Sequence, residues 1–204
     1  MENDLKNLVG SEEKILYEGK PNKKCFIFES IFNPLLPFAV LWAIIDFGFI
    51  GASLFMEGSS GALLFIIPFF ALHLMPVWLY LGGVLLTFRR YKNTYYIVTD
   101  SGIYVSGGAF TKEYNHKPFA ELSHVDLHRG IFDQMFQVGD IITTSSQFSS
   151  ANKNASICIN SISNYTEVYN LIKKLQKDIY TDVMYPNDMR PKENHGYHTE
   201  YKGK

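Results

Sequence analysis

The sequence predicts an α+β membrane protein, a two-helix transmembrane hairpin followed by an antiparallel β-barrel or roll that a C-terminal helix caps. Three observations carry that expectation. Residues 35–55 and 62–88 are apolar stretches of bilayer-crossing length, separated only by the turn Met56-Glu57-Gly58-Ser59-Ser60-Gly61. Residues 95–162 break into short runs of period two, bounded by Gly, Ser, Asn and Pro. From Tyr165 onward apolar side chains recur at helical spacing instead.

Residues 1–34 read as a cytoplasmic N-terminal segment. They begin polar and acidic, with no apolar stretch ahead of the first span and no small-residue cleavage site of the kind a signal peptide carries. The hydrocarbon core of a bilayer is about 30 Å thick and takes about 20 helical residues at about 1.5 Å each. Residues 35–55 and 62–88 meet that length with one ionisable side chain apiece, Asp46 and His73. Lys20, Lys23 and Lys24 precede the first span, Arg89, Arg90 and Lys92 follow the second, and the turn between holds no cation. The positive-inside bias agrees at both ends and puts both termini in the cytoplasm. Two core helices of a soluble protein would need a polar face, which neither stretch has.

After Asn93 the pattern changes. Tyr95-Tyr96-Ile97-Val98-Thr99, the turn Asp100-Ser101-Gly102 and Ile103-Tyr104-Val105-Ser106 form a β-hairpin signal rich in aromatic and β-branched residues. Further strands are expected at residues 111–117, 122–127, 140–145 and 156–162, antiparallel because no helix of crossover length separates them. Ile131-Phe132-Asp133-Gln134-Met135-Phe136 lies between two of these and is expected to put its apolar side chains in the core. Tyr165, Val168, Tyr169, Ile172, Leu175 and Ile179 then share a helical stripe opposite Lys173, Lys174 and Lys177. Asn164 caps this helix and Glu167 stands in its first turn, where the dipole favours an acid. Its one apolar stripe must be buried, and the end of a small barrel is the place to bury it. The soluble domain is thus expected over residues 93–180, and residues 184–204, with Pro186, Pro191 and scattered charge, as a disordered tail.

The whole-chain averages conceal this division. The composition is 47% hydrophobic with a formal net charge of -1, and the mean hydropathy is -0.04. Such a charge gives no reason to expect nucleic acid, which is bound by concentrated Lys and Arg. Cys25 and Cys158 stand in unrelated contexts and read as free thiols in a reducing compartment. The sequence holds no Gly-rich phosphate loop, no His-Glu-x-x-His and no Gly-x-Ser-x-Gly elbow, so neither catalysis nor a cofactor is expected.

Two polar constellations remain. Counted from the middle of the turn, Asp46 and His73 fall at depths within about 3 Å of each other at about 1.5 Å per residue. Ala39, Ala43, Asp46, Ile50 and Ser53 share one helix face, and Ala62, Ile66, Phe69, His73, Pro76 and Tyr80 share another, the small-and-polar seam along which two helices pack. Pairing would spare each ionisable group a cost of about 3 kcal/mol at the bilayer centre. The pair is expected to hold the helices together; the alternative is a small oligomeric ion or proton pathway that uses Asp46 and His73. The second constellation is His124, Asp126 and His128, which would line one strand face with donors suited to a divalent metal. Its ordinary explanation is a solvated strand face, and no metal is expected there.

The order of these pieces resembles a known family. The hairpin, then Tyr95 to Ile103, a break at Gly107-Gly108, Leu122-Ser123-His124-Val125-Asp126-Leu127, Val138-Gly139-Asp140-Ile141 and a closing helix resemble the bacterial pleckstrin-homology-like (PH-like), or membrane-flanked, domains. The opening Glu13-Lys14-Ile15-Leu16-Tyr17-Glu18-Gly19-Lys20-Pro21 is similar to the segment that precedes the hairpin in such proteins, so the resemblance covers about residues 12–180. It implies a partly open barrel of roughly seven strands with a C-terminal helix, non-enzymatic, serving as a binding or assembly module at a bacterial plasma membrane. Relatives that bind phosphoinositides place Lys and Arg in the turn between the first two strands. Here that turn is Thr99-Asp100-Ser101-Gly102, without a cation. A protein or peptide partner, a second copy included, is therefore expected rather than a phosphoinositide, with strand addition beside the polar loop at residues 149–156 as one route.

Overall fold

A computed structural model describes residues 2–54, 60–145 and 156–184. The chain divides into two units, Met1–Phe26 with Arg90–Lys204, and Ile27–Arg89. The expected tail lies outside the described residues except for Met184, the last residue of the C-terminal helix, and so does most of the loop at residues 149–156. Of the expected turn at residues 56–61, only Ser60 and Gly61 are described, and they open a helix.

The larger unit takes its form from two short motifs at the start of the chain. Helix α1 (Glu2–Lys6) is followed by strand β1 (Ile15–Gly19). Residues 13–21, expected only as a lead-in, thus supply a strand of the sheet. Its partner is β2 (Tyr95–Thr99), antiparallel, with Glu18 opposite Ile97 and Gly19 opposite Tyr96. β3 (Gly102–Gly107) and β4 (Glu113–Pro118) complete a four-stranded sheet in the order β1-β2-β3-β4. Gly108, at φ +100°, makes the β3–β4 turn, where a side chain would meet the Thr111 carbonyl. A single 3-10 turn, Phe119–Glu121, leads to β5 (Leu122–His128), which forms a second sheet with β6 (Gly139–Ser145) and β7 (Ser156–Ile162) in the order β5-β6-β7. All pairings are antiparallel.

Alternation along β2 explains the layers. Tyr96 and Val98 point into the main core with Ile103, Phe119, Ile141 and Ile159, while Tyr95 and Ile97 point to the other face and lie with Leu5 and Tyr104. β2 is therefore buried along its whole length, because α1 covers the face that an outer sheet would leave wet.

The stripe on the C-terminal helix, Tyr165–Met184, closes the main core through Val168, Ile172 and Leu175. Its ring at Tyr165 packs where a side chain on Gly139 would come within 2.9 Å, which is why the strand begins with glycine there.

One expectation is corrected in this unit. Ile131–Phe136 is a short helix on the surface, with Ile131 83% and Met135 57% exposed, not core. The inward residue is Asp133, fully buried, whose carboxylate accepts the Gly130 N–H at 2.8 Å and fixes the helix start. An acid that caps the first turn leaves Ile131 and Met135 facing outward, while Phe132 and Phe136 are half-buried.

The smaller unit is helical. Residues Lys23–Ile31 form α2, for which Asn22 Oδ1 accepts the N–H groups of Lys24 and Cys25 at 3.0 and 3.2 Å. Helix α3 is Leu35–Leu54, started by Asn33 Oδ1 on the Leu35 N–H at 2.8 Å. The single helix expected over residues 62–88 is instead two, α4 (Ser60–His73) and α5 (Met75–Asn93), with a bend of 56° between Ile67–His73 and Met75–Asn93. Pro76 is the cause. It offers no N–H to the Leu72 carbonyl and its ring crowds that position, so the ladder stops at Leu74 N–H on Phe70 O (2.9 Å) and restarts with Val77 and Trp78 N–H on Leu74 O (2.9 and 3.0 Å). Among the described residues one helix, over Leu35–Ser53, is long and apolar enough to cross a membrane, or two if the bent pair counts as one span.

Candidate functional site

The smaller unit is polar inside and apolar outside. On α3 Ile44 is 65% and Phe49 64% exposed while Asp46 is 1% exposed. Ala39 is buried and Ala43, Ile50 and Ser53 half-buried on the same face, so this seam of small residues is the packed one. The carboxylate of Asp46 meets His73 at the end of α4, with Nδ1 2.9 and 3.0 Å from the two oxygens. The imidazole is stacked on Trp42 at 5.1 Å and on Phe69 at 5.3 Å. A carboxylate on Nδ1 fixes the ring orientation.

The break in the second helix is satisfied at the same place. Trp42 Nε1–H donates to the His73 carbonyl at 2.8 Å, and Trp78 Nε1–H donates to the Ala71 carbonyl at 3.0 Å. Two carbonyls next to a proline break thus gain indole donors, the kind of side-chain compensation that makes a broken helix tolerable in a medium without water. Elsewhere in the unit the Tyr80 hydroxyl donates to the Ile31 carbonyl at 2.8 Å.

The larger unit has its own opening. Strand β4 is the edge of one sheet and β7 the edge of the other. Between them lies a cleft of about 410 Å³ lined by Tyr114, Asn115, His116, Lys117, Ser156 and Ile157 among others. His116 stacks on Tyr104 at 4.1 Å, and the Tyr104 hydroxyl donates to Glu13 at 2.8 Å. Glu13 also accepts from Thr99 Oγ1 at 2.7 Å.

Burial pushes the Glu13 carboxyl upward, but hydrogen bonds from Ser101, Thr99 and Tyr104, with the nearby His116 imidazole, outweigh it and hold the group below its ordinary value of 4.5. Tyr104 in turn is pushed up to about 12, by burial first and then by Glu13. A carboxyl whose folded pKa is depressed stabilises the fold above its unfolded pKa, and that contribution disappears as the pH falls through the folded value. Glu13→Gln is therefore expected to lower the melting temperature at pH 7 and to lose that deficit progressively below pH 4.5. Thermal melts of both proteins between pH 7 and pH 3 measure it, and a gap that does not change with pH would refute this role.

The six cations that flank the apolar stretches, Lys20, Lys23, Lys24, Arg89, Arg90 and Lys92, are all exposed. His124 and Asp126 are exposed on β5 and belong to no group of three metal-ligating side chains among the described residues. His128, at the strand end, does have such company, though not from its own strand; Asp133 and Asp140 lie near it. Period two gives the strand face but has no access to the register that chooses its neighbours. Neither Cys25 nor Cys158 is in a disulfide, and Cys25 is buried with its Sγ 3.4 Å from Asp133 Oδ1.

Against known proteins, a family model described as bacterial PH domain matches residues 35–176. The match takes in the apolar helices α3 to α5, strands β2 to β7 and more than half of the C-terminal helix. Neither the curated proteins nor the solved structures yield a match.

Proposed function

This chain belongs to the bacterial PH domain family, and from that we propose that it is a membrane-anchored, non-catalytic binding and assembly module whose PH-like unit is held at the cytoplasmic face of the bacterial plasma membrane. The observation that carries the anchoring is the pairing of β1 with β2. Gly19 lies opposite Tyr96 in an antiparallel ladder, so the chain leaves the sheet before the apolar helices and re-enters it after them at the same end of two neighbouring strands. An insertion with both ends at one place crosses a bilayer an even number of times or not at all. With α3 apolar and outward-facing enough to cross once, the bent pair is the return span. The flanking cations point the same way, toward two cytoplasmic ends.

The binding reading rests on the family and on the cleft between the two sheet edges. Its partner is a protein segment in extended conformation, which an edge strand accepts through main-chain hydrogen bonds. A phosphoinositide fits worse. The β2–β3 turn offers acids, with Asp100 already tied to Lys14 by hydrogen bonds of 3.1 and 3.2 Å and Glu13 alongside.

Labelling and crosslinking in cells test both halves. With Cys25 and Cys158 replaced by serine, an impermeant thiol reagent is expected to modify Ser59→Cys in intact cells and to spare Lys174→Cys until the membrane is opened. The reverse pattern overturns the topology. A photo-crosslinking residue in place of Asn115 is expected to capture a protein, whereas the same residue in place of Lys174 is not; equal capture at both sites overturns the cleft as the binding edge.

A further inference from the structure

We propose that His128, Asp133 and Asp140 form a binding site for one divalent transition-metal ion of the zinc or manganese class. Nothing in the family reading or the cleft between sheet edges requires it, and it stands on the local geometry of the β5–β6 connection. His128 and Asp140 are direct cross-strand partners in the ladder between β5 and β6, which places their side-chain bases about 5 Å apart. The short helix Ile131–Phe136 joins those strands and turns Asp133 back over the pair. One ligand atom from each residue, an imidazole nitrogen and two carboxylate oxygens, lies within 4.8 Å of the others.

The charge balance is what asks for a cation. Asp133 is fully buried, and its carboxylate accepts the Gly130 N–H at 2.8 Å and lies 3.4 Å from the Cys25 thiol. Asp140 is half-buried beside it and accepts the Ser161 N–H at 2.7 Å. Among the described residues neither carboxylate is in an ion pair with a lysine or arginine. Arg129, next to His128 in sequence, donates its Nε–H to the Val138 carbonyl at 2.9 Å and lies over the Tyr165 ring at 4.7 Å. Two neighbouring carboxyl groups with no lysine or arginine between them, one of them sealed from water, each make the other's charge less favourable. A divalent ion between them removes that repulsion.

The residue whose N–H holds Asp140 is itself unusual. Ser161 is fully buried in a left-handed conformation at φ 53°, and its Oγ is a buried side-chain oxygen with no hydrogen-bond partner among the described residues. An ion with three protein ligands keeps further positions for water. One imidazole with two carboxylates selects the class. Calcium and magnesium favour all-oxygen sites, while zinc and manganese accept the mixture. His128 is exposed, so an ion can enter from that side.

The test uses the full chain in detergent, stripped with a chelator and titrated with Zn²⁺, Mn²⁺ or Mg²⁺ by calorimetry and by thermal melts. One Zn²⁺ or Mn²⁺ per chain is expected to bind and raise the melting temperature, with Mg²⁺ at least about tenfold weaker. His128→Ala and Asp140→Asn, which do not disturb the helix cap that Asp133 provides, are each expected to weaken binding by more than about tenfold and to keep the folded circular-dichroism spectrum. His124→Ala is expected to bind as the parent does. Absent uptake overturns the site, as does binding that survives undiminished in either His128→Ala or Asp140→Asn. Loss in Cys25→Ser together with retention in those two variants assigns the ion to the thiol and overturns it as well.

Discussion

Replacing Leu5 with alanine is expected to lower the unfolding free energy of the PH-like unit by about 2–5 kcal/mol, the cost of a deep core truncation. The expectation is large because α1 is small. A helix of five residues has no stability of its own, so it stays in place through what it buries, and that is chiefly Leu5, fully covered against Tyr95, Ile97 and Tyr104. The ion pairs around it, Lys6 with Glu18 at 2.7 Å and Asp4 with Lys112 at 2.9 Å, are exposed and of a kind that adds little. Without Leu5 the outer faces of β2 and β3 lose their cover, and Tyr95 and Ile97 meet water. Hydrogen exchange reads this directly, as loss of protection in the amides of β2 and β3 together with a lower denaturant midpoint. A change of about 0.5 kcal/mol or less, ordinary for a surface site, would show that α1 is not part of the folded unit.

That residue also marks where the sequence stops being legible. β2, β3, β7 and the C-terminal helix announce themselves by period, because each buries a stripe of several neighbouring residues. Leu5 is one apolar side chain in a charged stretch, and β1 is a short strand whose partner is supplied only after the whole apolar insertion; neither has a local signature. The proline break is of another kind. Pro76 was in plain view, but an apolar run of the right length looks continuous, and only the hydrogen bonds around Leu74 separate α4 from α5. Ile131 and Met135 misled for a related reason: hydrophobicity suggests burial, while the capping geometry of Asp133 decides which side of that short helix faces in.

The candidate sites divide along the same line. Asp46 and His73 can be brought together by counting residues down two helices from a turn, since rise per residue is fixed, and the structure places them in contact. The stacking of His73 between Trp42 and Phe69 and the indole bonds to free carbonyls depend on rotamers that no count provides. For His128 the strand face was readable, but its neighbours Asp133 and Asp140 come from strand register and from a helix turning back, which are tertiary facts.

The contact between Asp46 and His73 carries the second large expectation. His73→Leu takes away the donor that both Asp46 oxygens share at 2.9 and 3.0 Å, in a carboxylate 1% exposed. Left buried and unmatched, that group is expected to cost about 2–4 kcal/mol. Asp46→Leu is expected to cost less, because the His73 side chain, 39% exposed, is less enclosed than the 1% exposed carboxylate. The double variant is expected to recover most of the loss, since two leucines on facing helices pack without any polar group to satisfy, and since Trp42 donates to the main-chain carbonyl of residue 73, which either side chain leaves in place. Unfolding in detergent, run as a double-mutant cycle, gives the coupling between the two. A coupling of more than about 1 kcal/mol makes the pair the fastener of the helices. Additive losses would mean that each side chain acts alone, and the seam along Ala39, Ala43 and Asp46 would then be held by close packing of small residues instead.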